Sequence, residues 1–232
     1  MKKILFIILA GTAGFVSCKK QDFADAYLDP SKVTQSTVEK QFSGFLTTNK
    51  DWVLPAYTNY FVSLRTTLTH YTQTVGWINA AAQYVPGEAG IAPRWNNYYS
   101  MLAQYREMEK ILATLPADDQ ADKRIYKIAA SIYLYDHTEK IIDLHGDIPF
   151  INACKLSANG GDYINSLATY DDAAALYTKM LDDLKGFSDE LNTINVKAAI
   201  LTGFKIQDFV NKGNLTTWKK YCNSLRLRML AR

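Results

Sequence analysis

Between residues 34 and 232 the apolar positions recur at threes and fours, the period of one face of an α-helix. Thr34 can cap a short helix that puts Val38, Phe42, Phe45 and Leu46 on one side, with Asn49 and Lys50 ending it. Asp51 can cap a second helix, with Pro55 in its first turn and a seam of Tyr57, Tyr60, Phe61, Leu64, Leu68, Tyr71 and Val75. Gly76 closes that seam, and Trp77 to Gly87 leads into a loop. Pro93 fits the first turn of a third helix (Trp95, Tyr98, Tyr99, Leu102, Tyr105, Met108, Leu112, Leu115), which Pro116 stops.

Asp118 or Asp119 can open a fourth helix through Ile125, Ile128, Ala129, Ile132, Tyr135 and Ile142, closed by Gly146 in a left-handed conformation. The short connection makes helices three and four antiparallel. From Asp147 to Ser166 the period is lost and Gly160-Gly161 marks a long surface loop. Asp171 can cap the next helix (Ala174, Tyr177, Met180, Leu181, Leu184, Phe187, Leu191). Residues 192–213 are ambiguous, holding either a short helix around Lys197 to Leu201 or irregular chain. Asn214 can cap a last helix with Trp218, Tyr221, Cys222, Leu225 and Met229 on its seam. Leu227 and Leu230 widen its apolar face, and six Lys or Arg follow Asp208 with no carboxylate. That unfinished face leads us to expect that the chain is truncated at Arg232. The fold class expected is all-α, built of antiparallel helix pairs joined by long loops.

The first residues follow a different rule. Lys2 and Lys3 precede an apolar run from Ile4 to Ala13, and Gly14-Phe15-Val16-Ser17-Cys18 follows. The run is about ten residues where a membrane span needs roughly 20, which is the grammar of a cleaved secretory signal. The sequence before Cys18 resembles the bacterial lipobox, with Phe15 where Leu is usual. We therefore expect residues 1–17 to be a signal peptide, Cys18 to be lipidated, residues 18–33 to form a tether, and residues 34–232 to form the helical domain. Two or three acyl chains anchor stably, each contributing about 0.8 kcal/mol per buried CH₂.

Composition narrows the function. The formal charge of +3 loses two units with Lys2 and Lys3, so nothing favours a polyanionic partner, and an exported protein meets no cellular nucleic acid. Cys154 and Cys222 either stay unpaired or form the one available disulfide. Aromatics make up 12% of the chain, with fifteen tyrosines, and rings with a polar tip suit both packed seams and surfaces that stack on sugars. No nucleophile elbow, His-Glu-x-x-His or phosphate loop is present, and no two carboxylates stand out as an acid/base pair. His137, Glu139, Asp143, His145 and Asp147 crowd the end of helix four at spacings that do not share a face. They read as a solvated helix end rather than a metal site. We expect no enzyme activity, no metal and no cofactor. Trp77, Asn79, Gln83 and Tyr84 lie together on a segment outside the seams. An aromatic beside amides can hold a sugar ring; Trp77 can equally cover the end of helix two.

Several stretches resemble one family when taken together. They are the lipobox, Leu144-His145-Gly146-Asp147-Ile148-Pro149-Phe150 after a long helix, Tyr170-Asp171 opening the next, and Gly213-Asn214, Trp218-Lys219-Lys220-Tyr221 and Asn223-Ser224-Leu225-Arg226-Leu227-Arg228. This order resembles the N-terminal half of the SusD/RagB family, in its SusD-like branch, the nutrient-binding outer-membrane lipoproteins of Bacteroidetes. The resemblance implies tetratricopeptide-like helix pairs and a non-enzymatic, surface-exposed protein. It also implies that glycans, or peptides as in RagB, are captured and passed to a TonB-dependent, SusC-like transporter. A helical-repeat module that binds only a protein partner is the alternative from another class.

Overall fold

Gln41 bonds to Gln104, Asn49 to Asn97, Tyr98 to Thr138 and Tyr105 to Ser131. In each set the later residue on one helix meets the earlier on the next, so neighbouring helices run antiparallel. The structure, a computed structural model, describes residues 36–54 and 88–232 together with scattered positions between 56 and 74, and lacks a side-chain description for 88–90. The described helices are α1 (Val38–Thr48), the single turn α2 (Lys50–Val53), α3 (Glu88–Ala113), α4 (Ala117–Asp122), α5 (Arg124–His145), α6 (Ala173–Thr193), α7 (Ala198–Gln207) and α8 (Leu215–Leu230), with a 3₁₀ turn at Ile164–Ser166. All belong to one compact unit, Thr37–Arg232. Among the described residues there is no strand, only an antiparallel bridge between Ile148 and Asp171, and no helix is long and apolar enough to cross a membrane.

The expected all-α class of tetratricopeptide-like pairs is what the chain forms. α1 pairs antiparallel with α3, α3 with α5, α5 with α6 (Tyr135–Asp183, Tyr177–Asp143), and α6 with α8 (Lys219–Asn192, Cys222–Leu184). Alternate helices therefore run the same way. α1, α5 and α8 are parallel, as Glu39–Lys123 with Asn49–Tyr133 and Tyr221–Asp136 with Arg232–Asp143 show. Stacked pairs of this kind present one set of helices on each face.

α5 is the centre, touched by α1, α3, α4, α6 and α8. It is buried almost all round from Ile125 to Ile142 instead of carrying a single apolar stripe, the signature of a core helix. This overturns the solvated end expected for His137 and Glu139, which are 3% and 0% exposed, whereas Lys140 is half-buried and Asp143, His145 and Asp147 are exposed as expected. α7 is pinned to the stack by an aromatic cluster, Phe204 against Phe42 at 5.6 Å and Tyr126 at 5.1 Å, each such pair contributing about 0.5–1.5 kcal/mol beyond area burial.

Local signals were read more accurately for faces than for caps. Val38, Phe42, Phe45 and Leu46 are the buried set of α1, but its cap is Thr37, whose Oγ1 accepts from Lys40 N; Thr34 lies outside the described residues. Asp51 sits in the first turn of α2, which Asn49 precedes, and most of the helix it was expected to cap lies outside the described residues. α3 begins at Glu88, five residues before Pro93. Asp118 and Asp119 open only the short α4, and the long α5 starts at Arg124. Asp172, not Asp171, caps α6, and Leu176 rather than Ala174 enters the core. The ambiguous stretch holds α7, and Asn214 caps α8 as expected. Cys154 and Cys222 are unpaired. Of the seam expected over 57–75, Tyr57, Tyr60 and Leu68 are exposed and Phe61 is half-buried, and the rest lies outside the described residues.

Two knots explain the sequence signatures. In the first, Gly146 ends α5 at φ 76° and ψ −130°, a positive φ that suits glycine but is not the left-handed helical conformation expected. Asp147 Oδ1 then accepts from Ala173 N at the start of α6, Ile148 bridges Asp171, Pro149 O accepts from the Tyr99 hydroxyl, and Phe150 O accepts from Arg106. Asp171 Oδ2 receives Phe150 N and Ile151 N, both at 2.8 Å. In the second knot, buried Asp208 accepts four N–H groups: Val210 and Asn211 on Oδ1, Gly213 and the Trp218 indole on Oδ2. Gly213, at φ 70°, passes so close to Lys205 that a Cβ would meet its Cα at 2.9 Å.

Candidate functional site

On the face formed by the parallel helices α1, α5 and α8 lies a cleft of about 700 Å³, within the range that small-ligand sites occupy. Its walls come from the end of α1 (Leu46, Thr47), from Lys50, Trp52, Val53 and Leu54, from one side of α5 (Tyr133, Asp136, His137, Lys140), from Tyr221 on α8, and from Phe209 and Val210 beyond α7. α5 supplies the polar chemistry because residues 133, 136, 137 and 140 share a face at helical spacing.

The polar groups are held by one network. Arg94 stacks over Trp52 at 4.8 Å and donates to His137 Nδ1 at 3.2 Å. A guanidinium has no acceptor, so Nδ1 carries the lone pair and Nε2 the proton. Nε2 lies 2.8 Å from the Asn49 amide, which also contacts Tyr133 Oη at 3.0 Å and Asn97 at 2.9 Å. Turned with oxygen toward Nε2, that amide accepts from His137 and from the Tyr133 hydroxyl, and its NH₂ donates to Asn97 once the Asn97 amide is turned in the same way to present its oxygen. Burial, then the charges of Lys140, Arg94 and Arg228, outweigh Asp136 and push the imidazole down to about 3. The ring is therefore neutral at physiological pH. Burial also lifts the Tyr133 hydroxyl above its ordinary value.

Asp136 is the anionic centre. Burial alone would favour its neutral form, but hydrogen bonds from Arg228 (2.6 Å) and Tyr221 (2.5 Å), with Lys140 at 3.0 Å, lower it to about 2. Arg228 also donates to the buried Glu139 at 2.7 Å, and Arg232 pairs with Asp143. The basic end of α8, which has no carboxylate of its own, thus finds its counter-charges on α5. Tyr221 is stacked on Trp218, 5.7 Å between centroids, so the ring facing the cleft is fixed through the Asp208 knot.

The arrangement offers rigid aromatic rings, a neutral imidazole, a carboxylate already bonded three times and two lysines. That set can hold a polar, ring-shaped ligand by stacking and hydrogen bonds; it offers no activated nucleophile. Among the described residues no cluster of His, Cys, Asp or Glu fits a metal. Val53, Leu54 and Phe209 at the mouth are 53%, 79% and 55% exposed, an apolar rim of the sort that marks a binding groove.

The residues that sequence reasoning nominated, Trp77, Asn79, Gln83 and Tyr84, lie outside the described residues, as does Cys18. The cleft residues Trp52, Asp136, His137 and Lys140 were missed as a group. Tyr133 was not singled out, and Tyr221 was read as a seam residue. One signal was available: polar Asp136 to Glu139 interrupt a stretch otherwise rich in Ile, Leu, Ala and Tyr, and a helix with polar residues on every side of an apolar centre has buried some of them.

No curated protein and no solved structure matches the chain. The SusD-like family described as "starch-binding associating with outer membrane" matches residues 30–232, which spans every helix described above. The chain belongs to that SusD-like family of starch-binding proteins associated with the outer membrane.

Proposed function

We propose that the protein is a surface lipoprotein that captures an oligosaccharide in the cleft between α1, α5 and α8 and delivers it to a partner TonB-dependent transporter of the SusC-like kind. The observation that carries the ligand class is the cleft wall, where the rings of Trp52, Tyr133 and Tyr221 stand beside Asp136, His137 and Lys140. Aromatic area next to fixed hydrogen-bonding groups is how a protein binds a neutral sugar. The family is one of binding proteins, and the cleft agrees with that. Residues 1–17 then act as the signal peptide, Cys18 as the lipidated residue and residues 18–33 as the tether, while Trp77, Asn79, Gln83 and Tyr84 add a second stacking element.

Titration of the protein with linear α-1,4-linked gluco-oligosaccharides and with peptides of similar length tests the ligand class. Saturable binding of the sugars alone supports the reading, and binding of peptides alone replaces it with a peptide-capture function. Globomycin treatment of producing cells should accumulate a larger precursor; an unchanged size would remove Cys18 as the anchor.

A further inference from the structure

A second cavity, about 350 Å³, lies on the other side of α5, between α3, α6 and the strap of residues 150–155. Its chemistry differs from the cleft's. Glu109 is shared by Arg106 at 2.7 Å and Lys127 at 3.2 Å. Asp183 takes Lys179 at 2.6 Å and the Tyr135 hydroxyl at 2.5 Å. Arg124 is held by Glu190, just outside the wall, through paired bonds of 2.9 Å. The fifth cation, Lys155, is half-buried, and its ammonium has no partner among the described residues. Five cations thus meet three carboxylates, each already committed.

The rings here are committed as well. Arg106 lies 5.3 Å over Phe150 and Arg124 5.9 Å over Phe187, contacts that hold both guanidiniums in place. Arg106 is fixed further by the carbonyl of Phe150 at 2.7 Å. A half-enclosed pocket with surplus positive charge on pre-positioned donors lacks only an anion.

We propose that this pocket binds a compact oxyanion, a carboxylate, sulfate or phosphate group, with Lys155 as the side chain that closes on it. The site stands apart from the neutral-sugar cleft, and its failure would leave the capture reading untouched.

The test is calorimetric titration of the full chain at low ionic strength with sodium phosphate, sodium sulfate and sodium glucuronate, with glucose as the uncharged control. At least one oxyanion should bind saturably, and glucose should not bind this site. Lys155→Met should raise that Kd at least about tenfold, one charge-assisted contact's worth. Its unfolding midpoint should not fall, because Lys155 holds nothing else. A preference for glucuronate assigns the site to a sugar acid, and a preference for phosphate or sulfate to a free inorganic ion. Absence of saturable binding by all three anions up to about 10 mM, or the same affinity in Lys155→Met, would overturn the proposal.

Discussion

The indole N–H of Trp218 donates to Asp208 Oδ2 at 2.6 Å, and both residues are wholly buried. Asp208 thereby ties the exit of α7 to the first turn of α8, and Gly213 supplies the left-handed, side-chain-free step between them. An amide at 208 would set its NH₂ against N–H donors. Asp208→Asn is therefore expected to cost about 3 kcal/mol and Gly213→Ala at least about 2 kcal/mol. Chemical denaturation of each variant checks both values.

Arg228 holds two carboxylates of α5 at once. Replacing it by Met leaves Glu139 buried with only Arg232 at 3.6 Å. Loss of one partner of a buried pair costs about 3–5 kcal/mol, and the half-exposed arginine discounts this to about 2. Arg228→Met should lower the denaturation midpoint, and Arg228→Lys should recover part of it.

Asp171 acts on the strap rather than on the helix it precedes. Asp171→Ala should free the amides of Phe150 and Ile151, raising their hydrogen-exchange rates well above those of α6, with a global loss of about 2 kcal/mol. Asp172→Ala should instead fray the first turn of α6. Exchange measured residue by residue separates the two.

Acid should weaken the fold through His137. Its folded value is about 3 against an ordinary 6.5, so between these the unfolded chain binds the extra proton and stability falls as pH falls. The contribution is complete above 6.5 and costs about 2 kcal/mol between pH 7 and 5. Asp136, at about 2 against 3.8, adds stability that is full above 3.8 and lost as pH drops through 2. His137→Gln should flatten the slope between pH 7 and 5, and denaturation at both pH values measures it.

How much of this was legible depends on range. The seams of α1, α3 and α8 followed from local periodicity, since their buried residues gather on one face and leave the other to water. α5 broke that rule because it has neighbours on all sides, so His137 and Glu139, polar on an apparent helix end, are core. Asp171 and Asp172 are adjacent and chemically alike, and only the pairing of Ile148 with Asp171 decides which one caps α6. The cleft was hidden for a similar reason: Trp52, His137 and Tyr221 are brought together by helix stacking and by no spacing in the chain. The Gly-Asp-Ile-Pro and Trp-containing signatures were visible as patterns, and the two knots give them their physical meaning.

The most direct test is fluorescence or NMR titration of the protein and of Trp52→Ala with one linear α-1,4-linked gluco-oligosaccharide. Saturable binding that weakens at least about tenfold in the variant, with the fold intact by circular dichroism, is the expected result. No binding by the unaltered protein, or equal affinity in Trp52→Ala, would contradict capture in this cleft.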